Sequence, residues 1–169
     1  MQVQEAIRSR RTHKAFRPEP VPQEILDELL EVARWAPNHH LTNPWRFRVV
    51  GPLALAKLKE AAGPEAAPKL DRAPTLVAAT AIRSEDPVQD QEDLCATACA
   101  VYAVLLAAHA RGLAGYWRTP AVLRTHQGLD ALEIPREERF VALVNLGWPR
   151  QDKRAPERLP PTDFVTYLG

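Results

Sequence analysis

The feature that most constrains the fold is the stretch formed by residues 90–111, which has the pattern of one long helix and is apolar on nearly every side. Its apolar positions are Leu94, Ala98, Val101, Leu105 and Ala108, with Cys95, Tyr102, Leu106 and His109 beside them. Gly112 ends the pattern, as glycine commonly does after a helix. A helix with so little polar surface is buried on more than one side. In a chain of 169 residues, a partner subunit is a good candidate for the second covering surface.

Composition limits the classes of function that remain. A net charge of +1 gives no electrostatic case for a nucleic acid or membrane partner, and 46% apolar residues argue against disorder. The length fits one domain, residues 1–169, with its own core. The apolar run 96–110 is short for a membrane span, and polar residues interrupt the N-terminal segment. Only two cysteines are present, which fits a reducing compartment, so we expect a cytoplasmic protein.

Hydrophobic periodicity predicts the remaining secondary structure. Further helices are predicted over residues 3–10, 22–36, 53–62 and 120–129. Strands are predicted over residues 45–51, 75–82 and 139–146. A last strand pattern, residues 164–168, has no hairpin partner beside it in the sequence. Such a strand must pair with a sheet edge elsewhere, on this chain or on another.

A cluster of cations marks the end of the first predicted helix. Within five residues it contains Arg10, Arg11, Thr12 and Lys14. Guanidinium, ammonium and hydroxyl groups are the groups that proteins use to hold a phosphate. The simpler interpretation is that cations stabilise the C-terminal end of a helix through its dipole.

Two later stretches are candidates for the same site. Residues 36–45 form a proline-bounded loop before a strand, and residues 115–120 enter a loop in which backbone amides can face a ligand. The candidate side chains in these stretches are His39, Asn43, Trp117, Arg118 and Thr119. We therefore expect the scaffold to bring the three stretches together.

Other motifs favour structural interpretations. The adjacent His39 and His40 have no further ligand at a spacing typical of metal sites, so a hydrogen-bonding role is favoured over a metal. Cys95 and Cys99 stand one helical turn apart among apolar neighbours, which favours inert packing in the core. The sequence contains no glycine-rich dinucleotide fingerprint, Walker loop or Gly-x-Ser-x-Gly elbow.

At these residues the sequence resembles the nitroreductase family of flavin mononucleotide (FMN) enzymes. The first match is Arg10-x-Thr12-x-Lys14-Ala15-Phe16, and the second runs from Pro37 to Asn43-Pro44-Trp45-x-Phe47. A third is Leu143-x-x-Leu146-Gly147-x-Pro149. The short length, Trp117-Arg118-Thr119 and the ending Phe164-Val165-Thr166-Tyr167 are similar to a minimal subfamily. Two departures are Leu41, where the family usually has asparagine, and Asn43, where it has glutamine.

The resemblance implies an α+β fold with a central, mostly antiparallel sheet flanked by helices. It also implies an interlocked homodimer with FMN at the interface and the C-terminal strand exchanged between subunits. In such a protein Arg10 and Thr12 hold the ribityl-phosphate arm with Arg11 nearby, and Lys14 faces flavin N1/O2. The remaining flavin contacts would be His39 and Asn43 on one side, and Trp117, Arg118 and Thr119 on the other.

The implied activity is that of an NAD(P)H oxidoreductase. Hydride passes from NADH or NADPH through flavin N5 to a nitroaromatic, quinone or similar small acceptor by a ping-pong mechanism. No protein side chain is needed as a catalytic nucleophile or acid. The sequence leaves open the choice of nucleotide, the acceptor and the direction of the reaction. Two alternatives are a flavin-binding carrier or sensor without turnover and, less favoured, a ligand-free structural dimer.

Overall fold

The computed structural model describes residues 1–169 and contains five α-helices and four β-strands. The helices are α1 (Val3–Ser9), α2 (Gln23–Ala33), α3 (Pro52–Ala66), α4 (Pro87–Ala110) and α5 (His126–Ala131). The strands are β1 (Trp45–Val49), β2 (Thr75–Ile82), β3 (Ala114–Arg118) and β4 (Glu138–Gly147). Short 3-10 turns occupy His39–Leu41, Ala67–Lys69, Ala121–Arg124 and Pro161–Asp163.

The strands form one sheet in the order β1-β2-β4-β3, in which every neighbouring pair is antiparallel. Both central strands are buried along almost their whole length, as expected when helices cover both faces of a sheet. Alternate residues of β2 therefore belong to two different cores, one on each face of the sheet. Val77 packs in the first core, and Leu76 packs in the second. This arrangement confirms the predicted α+β fold with an antiparallel sheet.

The helices divide between the two faces of the sheet. α2 and α4 cover one face, where Leu29 of α2 and Val101 of α4 share a core with Val144 of β4. α3 and α5 cover the opposite face, where Leu58 and Ala131 contribute to the second core. Fully buried leucine and valine side chains each stabilise the fold by about 1.5–3 kcal/mol relative to exposure.

Helix α4 begins earlier than predicted because the side chain of Asp86 caps it, accepting a hydrogen bond from the backbone N–H of Val88 (2.9 Å). Its 24 residues are long and apolar enough to cross a membrane. In this fold the inner face of α4 packs on the sheet and on α2. A helix that fills the core of a soluble protein can be as long and as apolar as one that spans a membrane.

One face of α4 remains uncovered in the single chain. It carries Val88, which is 65% exposed, and Tyr102, which is 39% exposed. Cys95 and Cys99 lie on the same face as free, exposed thiols. The prediction that both cysteines pack in the core is therefore wrong for the single chain, because small residues such as Ala96 and Ala100 occupy the inner face instead.

Three other predictions need correction. Trp117 and Arg118 belong to strand β3 rather than to a loop entry. The predicted helix over residues 120–129 is divided at Thr125, whose hydroxyl caps α5 by accepting from the backbone N–H of Gly128 (3.2 Å). Residues 164–168 form no strand, and Tyr167 is 93% exposed. No sheet edge of the same chain receives these residues, so strand exchange with another subunit stays a prediction.

Candidate functional site

The cation cluster follows directly from α1, which ends at Ser9. The chain then runs beside strand β3, where Thr12 forms a parallel bridge with Gly115. The backbone N–H of His13 donates to the carbonyl of Gly115 (3.2 Å). Successive side chains of an extended segment point to opposite sides. The first and third predicted stretches are therefore neighbours in the fold.

Gly115 lies at this junction in close contact with α4. A Cβ atom added there would lie 2.6 Å from a side-chain methyl carbon of Leu105 on α4. Non-bonded carbon atoms pack at about 3.5–4.0 Å, so a side chain at this position would force the Leu105 side chain to move. The close contact lets α4, β3 and the Thr12 segment lie together.

The cluster contains buried side-chain nitrogens without hydrogen-bond partners. The Nε atoms of Arg10 and Arg11 and the Nδ1 atom of His13 are buried and make no hydrogen bond. Arg11 uses its terminal nitrogen within the segment, donating to the backbone carbonyls of Arg8 (2.6 Å) and Arg10 (2.8 Å). Buried polar groups are normally paired. The unpaired nitrogens therefore mark a place where an anionic or otherwise accepting group fits.

Two histidines beside the cluster have lowered pKa values. Burial lowers the pKa of His13 below its ordinary value of 6.5, and the charge of Lys153 adds to the effect. Burial likewise lowers the pKa of His109, with the charges of Arg10 and Arg11 contributing. The Nε2 atom of His109 makes a 2.7 Å hydrogen bond with the hydroxyl of Ser9. Burial is the larger cause of both pKa shifts, and the cations at this end of α4 add to it.

The second stretch forms a tight loop held by its own hydrogen bonds. The side-chain oxygen of Asn38 accepts from the backbone N–H of Asn43 (2.9 Å), and the amide of Asn43 donates to the carbonyl of Leu41 (2.6 Å). His40, Leu41 and Asn43 all have positive φ angles, which is uncommon for residues other than glycine. The loop is thus fixed in a strained conformation of the kind found at functional sites.

This loop is anchored to the N-terminal part of α4. His39 pairs with Glu92 (2.8 Å) and stacks on the ring of His40 with the ring centres 3.8 Å apart. The hydroxyl of Thr42 donates to the carboxylate of Asp93 (2.6 Å). The amide side chain of Asn43 and most of the loop remain exposed.

The third stretch lies along β3 and just beyond it. Arg118 donates to the backbone carbonyl of Lys69 (2.7 Å), and its guanidinium lies 5.9 Å from the ring centre of Tyr116. Burial lowers the pKa of Arg118. Trp117 is half-buried, and Thr119 is exposed immediately after the strand. Arg118 thus turns toward the face of the sheet that carries α3.

The three stretches do not meet within one chain. The second stretch contacts α4 at Glu92, whereas Ser9, next to the first stretch, contacts α4 at His109. At 1.5 Å per residue, these contact points are about 25 Å apart along the helix. The expectation that the scaffold brings all three stretches together stays a prediction, and it requires a second copy of the chain. A single chain joins only the first and the third.

Lys14 lies at a bend and lines an open cleft of about 710 Å³. The cleft also contains the cations Arg17, Arg72 and Arg150. Neither Arg72 nor Arg150 was a candidate from the sequence, because only the fold brings them to Lys14. Lys153 lies near enough to His13 for its charge to lower the pKa of that histidine.

Several known proteins are similar to this chain. A model of the nitroreductase family matches residues 7–148. YfhC of Bacillus subtilis, named as an NAD(P)H nitroreductase, is 28% identical over 182 residues, covering 98% of this chain and 94% of YfhC. A nitroreductase-like protein from Bacillus cereus has a TM-score of 0.90 at 23% identity, covering 99% and 96% of the two chains. A protein from Desulfovibrio desulfuricans, described as a nitroreductase in complex with FMN, has a TM-score of 0.83 at 27% identity and covers 100% and 98%.

Proposed function

The chain belongs to the nitroreductase family, and on that premise we propose that it is an NAD(P)H oxidoreductase that reduces a nitroaromatic, quinone or similar small acceptor by a ping-pong mechanism. Dependence on FMN and use of NAD(P)H follow from the family and from the relatives that resemble the chain over nearly its whole length. The identity of the electron acceptor and the ping-pong mechanism are what we propose beyond the family assignment.

The observation that carries the proposal is the set of buried, unpaired nitrogens beside Thr12. Arg10 contributes one of these nitrogens, and the hydroxyl of Thr12, two residues further along, lies on the exposed side of the same extended segment. A phosphate offers several acceptor oxygens and a negative charge, which matches this set of donors. The residues present therefore fit the phosphate arm of FMN. Arg10 and Thr12 would hold it, with Arg11 nearby.

Bound FMN supplies the redox chemistry, because flavin N5 accepts hydride from NAD(P)H and the electrons pass to the acceptor. Lys14, two residues after Thr12, places an exposed ammonium group that forms no ion pair with any carboxylate. A cation stabilises an adjacent negative charge. We assign Lys14 to the N1/O2 edge of the ring, and Trp117, Arg118 and Thr119 to its other side.

Lys14→Met is expected to lower the reduction potential of the flavin while leaving the fold intact. Methionine keeps a similar length but removes the charge that favours the reduced ring. Loss of about 1.4 kcal/mol corresponds to roughly 30 mV for a two-electron couple. Spectroelectrochemical titration measures the potential, and Lys57→Met on α3 serves as the control. If the Lys14→Met protein had the same flavin reduction potential as the wild type, Lys14 would not lie beside the flavin ring.

The remaining contacts, His39 and Asn43, would come from a second copy of the chain. They lie at the far end of α4 from Arg10, and the exposed face of that helix offers a surface for a partner. The C-terminal tail supports the same arrangement, because Phe164 is 69% exposed and Leu168 is 92% exposed. Apolar side chains exposed in a row are typical of an interaction surface.

Deleting residues 163–169 is expected to weaken dimerisation and flavin retention together, because the proposed cofactor site contains residues of both chains. Light scattering and the ratio of flavin to protein absorbance are measured on the same sample. Glu157→Ala, a polar change in the same tail, is the control and should leave both unchanged. A truncated protein that remains a fully flavin-loaded dimer would refute the exchange of the tail.

Turnover is tested by anaerobic stopped-flow mixing of the purified protein with NADH or NADPH, followed by addition of the acceptor. An enzyme shows bleaching of the flavin and then its reoxidation by a nitroaromatic or quinone. A carrier or sensor binds FMN without this cycle, and a structural dimer takes up no FMN. Ping-pong kinetics predict parallel double-reciprocal plots. We also place the protein in the cytoplasm, in keeping with its two free thiols.

A further inference from the structure

The cleft beside Lys14 has an unusual concentration of positive charge. Its lining includes four cations and a single carboxylate, namely Lys14, Arg17, Arg72, Arg150 and Asp71. The carboxylate is already neutralised from outside the cleft, because the ammonium of Lys59 contacts both oxygens of Asp71 (2.9 and 2.7 Å). The four cations thus face the cleft without a counter-charge.

None of these four side chains is used elsewhere in the fold. Arg17, Arg72 and Arg150 make no ion pair, and the only carboxylate in the lining is occupied by Lys59. Like charges around one cleft repel one another, and a bound anion relieves that repulsion. Arg72 also acts beyond the cleft, since its charge contributes to the lowered pKa of Arg118.

The size and chemistry of the cleft favour a phosphate-bearing ligand. The two N–H groups of an arginine fork match a pair of phosphate oxygens. Three arginines and one lysine provide more positive charge than a ligand with a single carboxylate would require. A volume of about 710 Å³ also falls in the range of small-molecule sites. The phosphate of FMN is assigned to a different place, because neither Arg10 nor Thr12 lines this cleft.

We infer that this cleft binds a phosphate group of the nicotinamide co-substrate, with Arg72 and Arg150 as its principal contacts. This inference rests on the proposed function, because Lys14 is the residue that joins the cleft to the flavin. NADH and NADPH share a pyrophosphate, and NADPH carries an additional 2′-phosphate. The pyrophosphate and the 2′-phosphate would contact the arginines through the same kind of phosphate oxygen. Comparing the binding of NADH with that of NADPH shows which of the two groups occupies the cleft.

The test uses the FMN-loaded enzyme and the variants Arg72→Gln, Arg150→Gln and the double variant. Arg136→Gln is the matched control, since it removes one exposed charge outside this cleft. Stopped-flow reduction by each nucleotide gives its apparent Kd, and titration calorimetry measures direct binding of adenosine 2′,5′-bisphosphate. Flavin content and thermal melting are recorded for every variant.

Each single variant is expected to raise the apparent Kd by roughly three- to tenfold, as for loss of one charge-assisted contact at an exposed site. A rise for NADPH alone, with weaker bisphosphate binding, identifies the 2′-phosphate as the group bound. An equal rise for both nucleotides identifies the pyrophosphate. The control should match the wild type.

Three results would overturn the inference. Variants that bind both nucleotides as the control does would show that the cleft takes no part. Loss of FMN from the variants would assign the cleft to the cofactor. A wild-type protein that binds FMN but is bleached by neither nucleotide would overturn the proposed function and this inference with it, whereas unaltered variants of an active enzyme overturn the inference alone.

Discussion

Arg10→Ala is expected to raise the Kd for FMN by roughly 100-fold, the equivalent of about 3 kcal/mol. The guanidinium is half-buried, and its Nε has no partner within the chain. Its removal would leave a phosphate oxygen unpaired in a site from which water is partly excluded. The measurement is a titration of apo-protein with FMN, followed by quenching of flavin fluorescence.

Arg8→Ala is the matched control for Arg10→Ala. Arg8 lies two residues before Arg10, in the last turn of α1, with an exposed side chain and the same charge. Its replacement should change the Kd by no more than about twofold, as expected for a screened surface charge. An Arg10→Ala protein with the affinity of the control would remove Arg10 from the phosphate site.

The second large effect is expected in mixed dimers. One chain carries Arg10→Ala, and the other carries His39→Ala with Asn43→Gly. Glycine is chosen at position 43 because the native φ is 47°, a conformation that strains alanine but not glycine. Each defective chain alone should form homodimers with little flavin. Two affinity tags allow the mixed dimer to be purified after co-expression.

The mixed dimer should recover flavin at one of its two sites. If each site takes Arg10 from one subunit and the His39 loop from the other, one site receives both defects and the other receives none. Half-occupancy by absorbance, with half the wild-type activity per dimer, is the expected result. If each site were built from a single chain, every site would keep one defect. A mixed dimer as colourless as the homodimers would therefore refute the shared site.

How far the sequence predicted the fold depends on the element. Strand β2 was predicted with its observed bounds because residues 75–82 are apolar on both faces. Strand β3 was missed because it has only five residues, lies at a sheet edge and includes Gly115, which weakens a strand pattern. Its strand geometry depends on pairing with β4, which is distant in sequence.

The candidate site shows the same division between local and distant information. Arg10, Thr12 and Lys14 were found because they stand together in the sequence. Arg72 and Arg150 were missed because only the fold brings them to Lys14. The sequence also did not predict that the His39 loop lies far from Arg10. This distance arises because the two segments contact opposite ends of α4.

The distance set by α4 has a thermodynamic consequence. If two chains share the flavin site as proposed, cofactor binding and subunit association are linked equilibria. Each FMN bound at the interface would then shift association toward the dimer by mass action, and dilution would release cofactor and subunits together. The amount of active enzyme would vary with the square of the chain concentration when dimers are scarce. On this proposal, the supply of flavin would set how much of the protein is assembled.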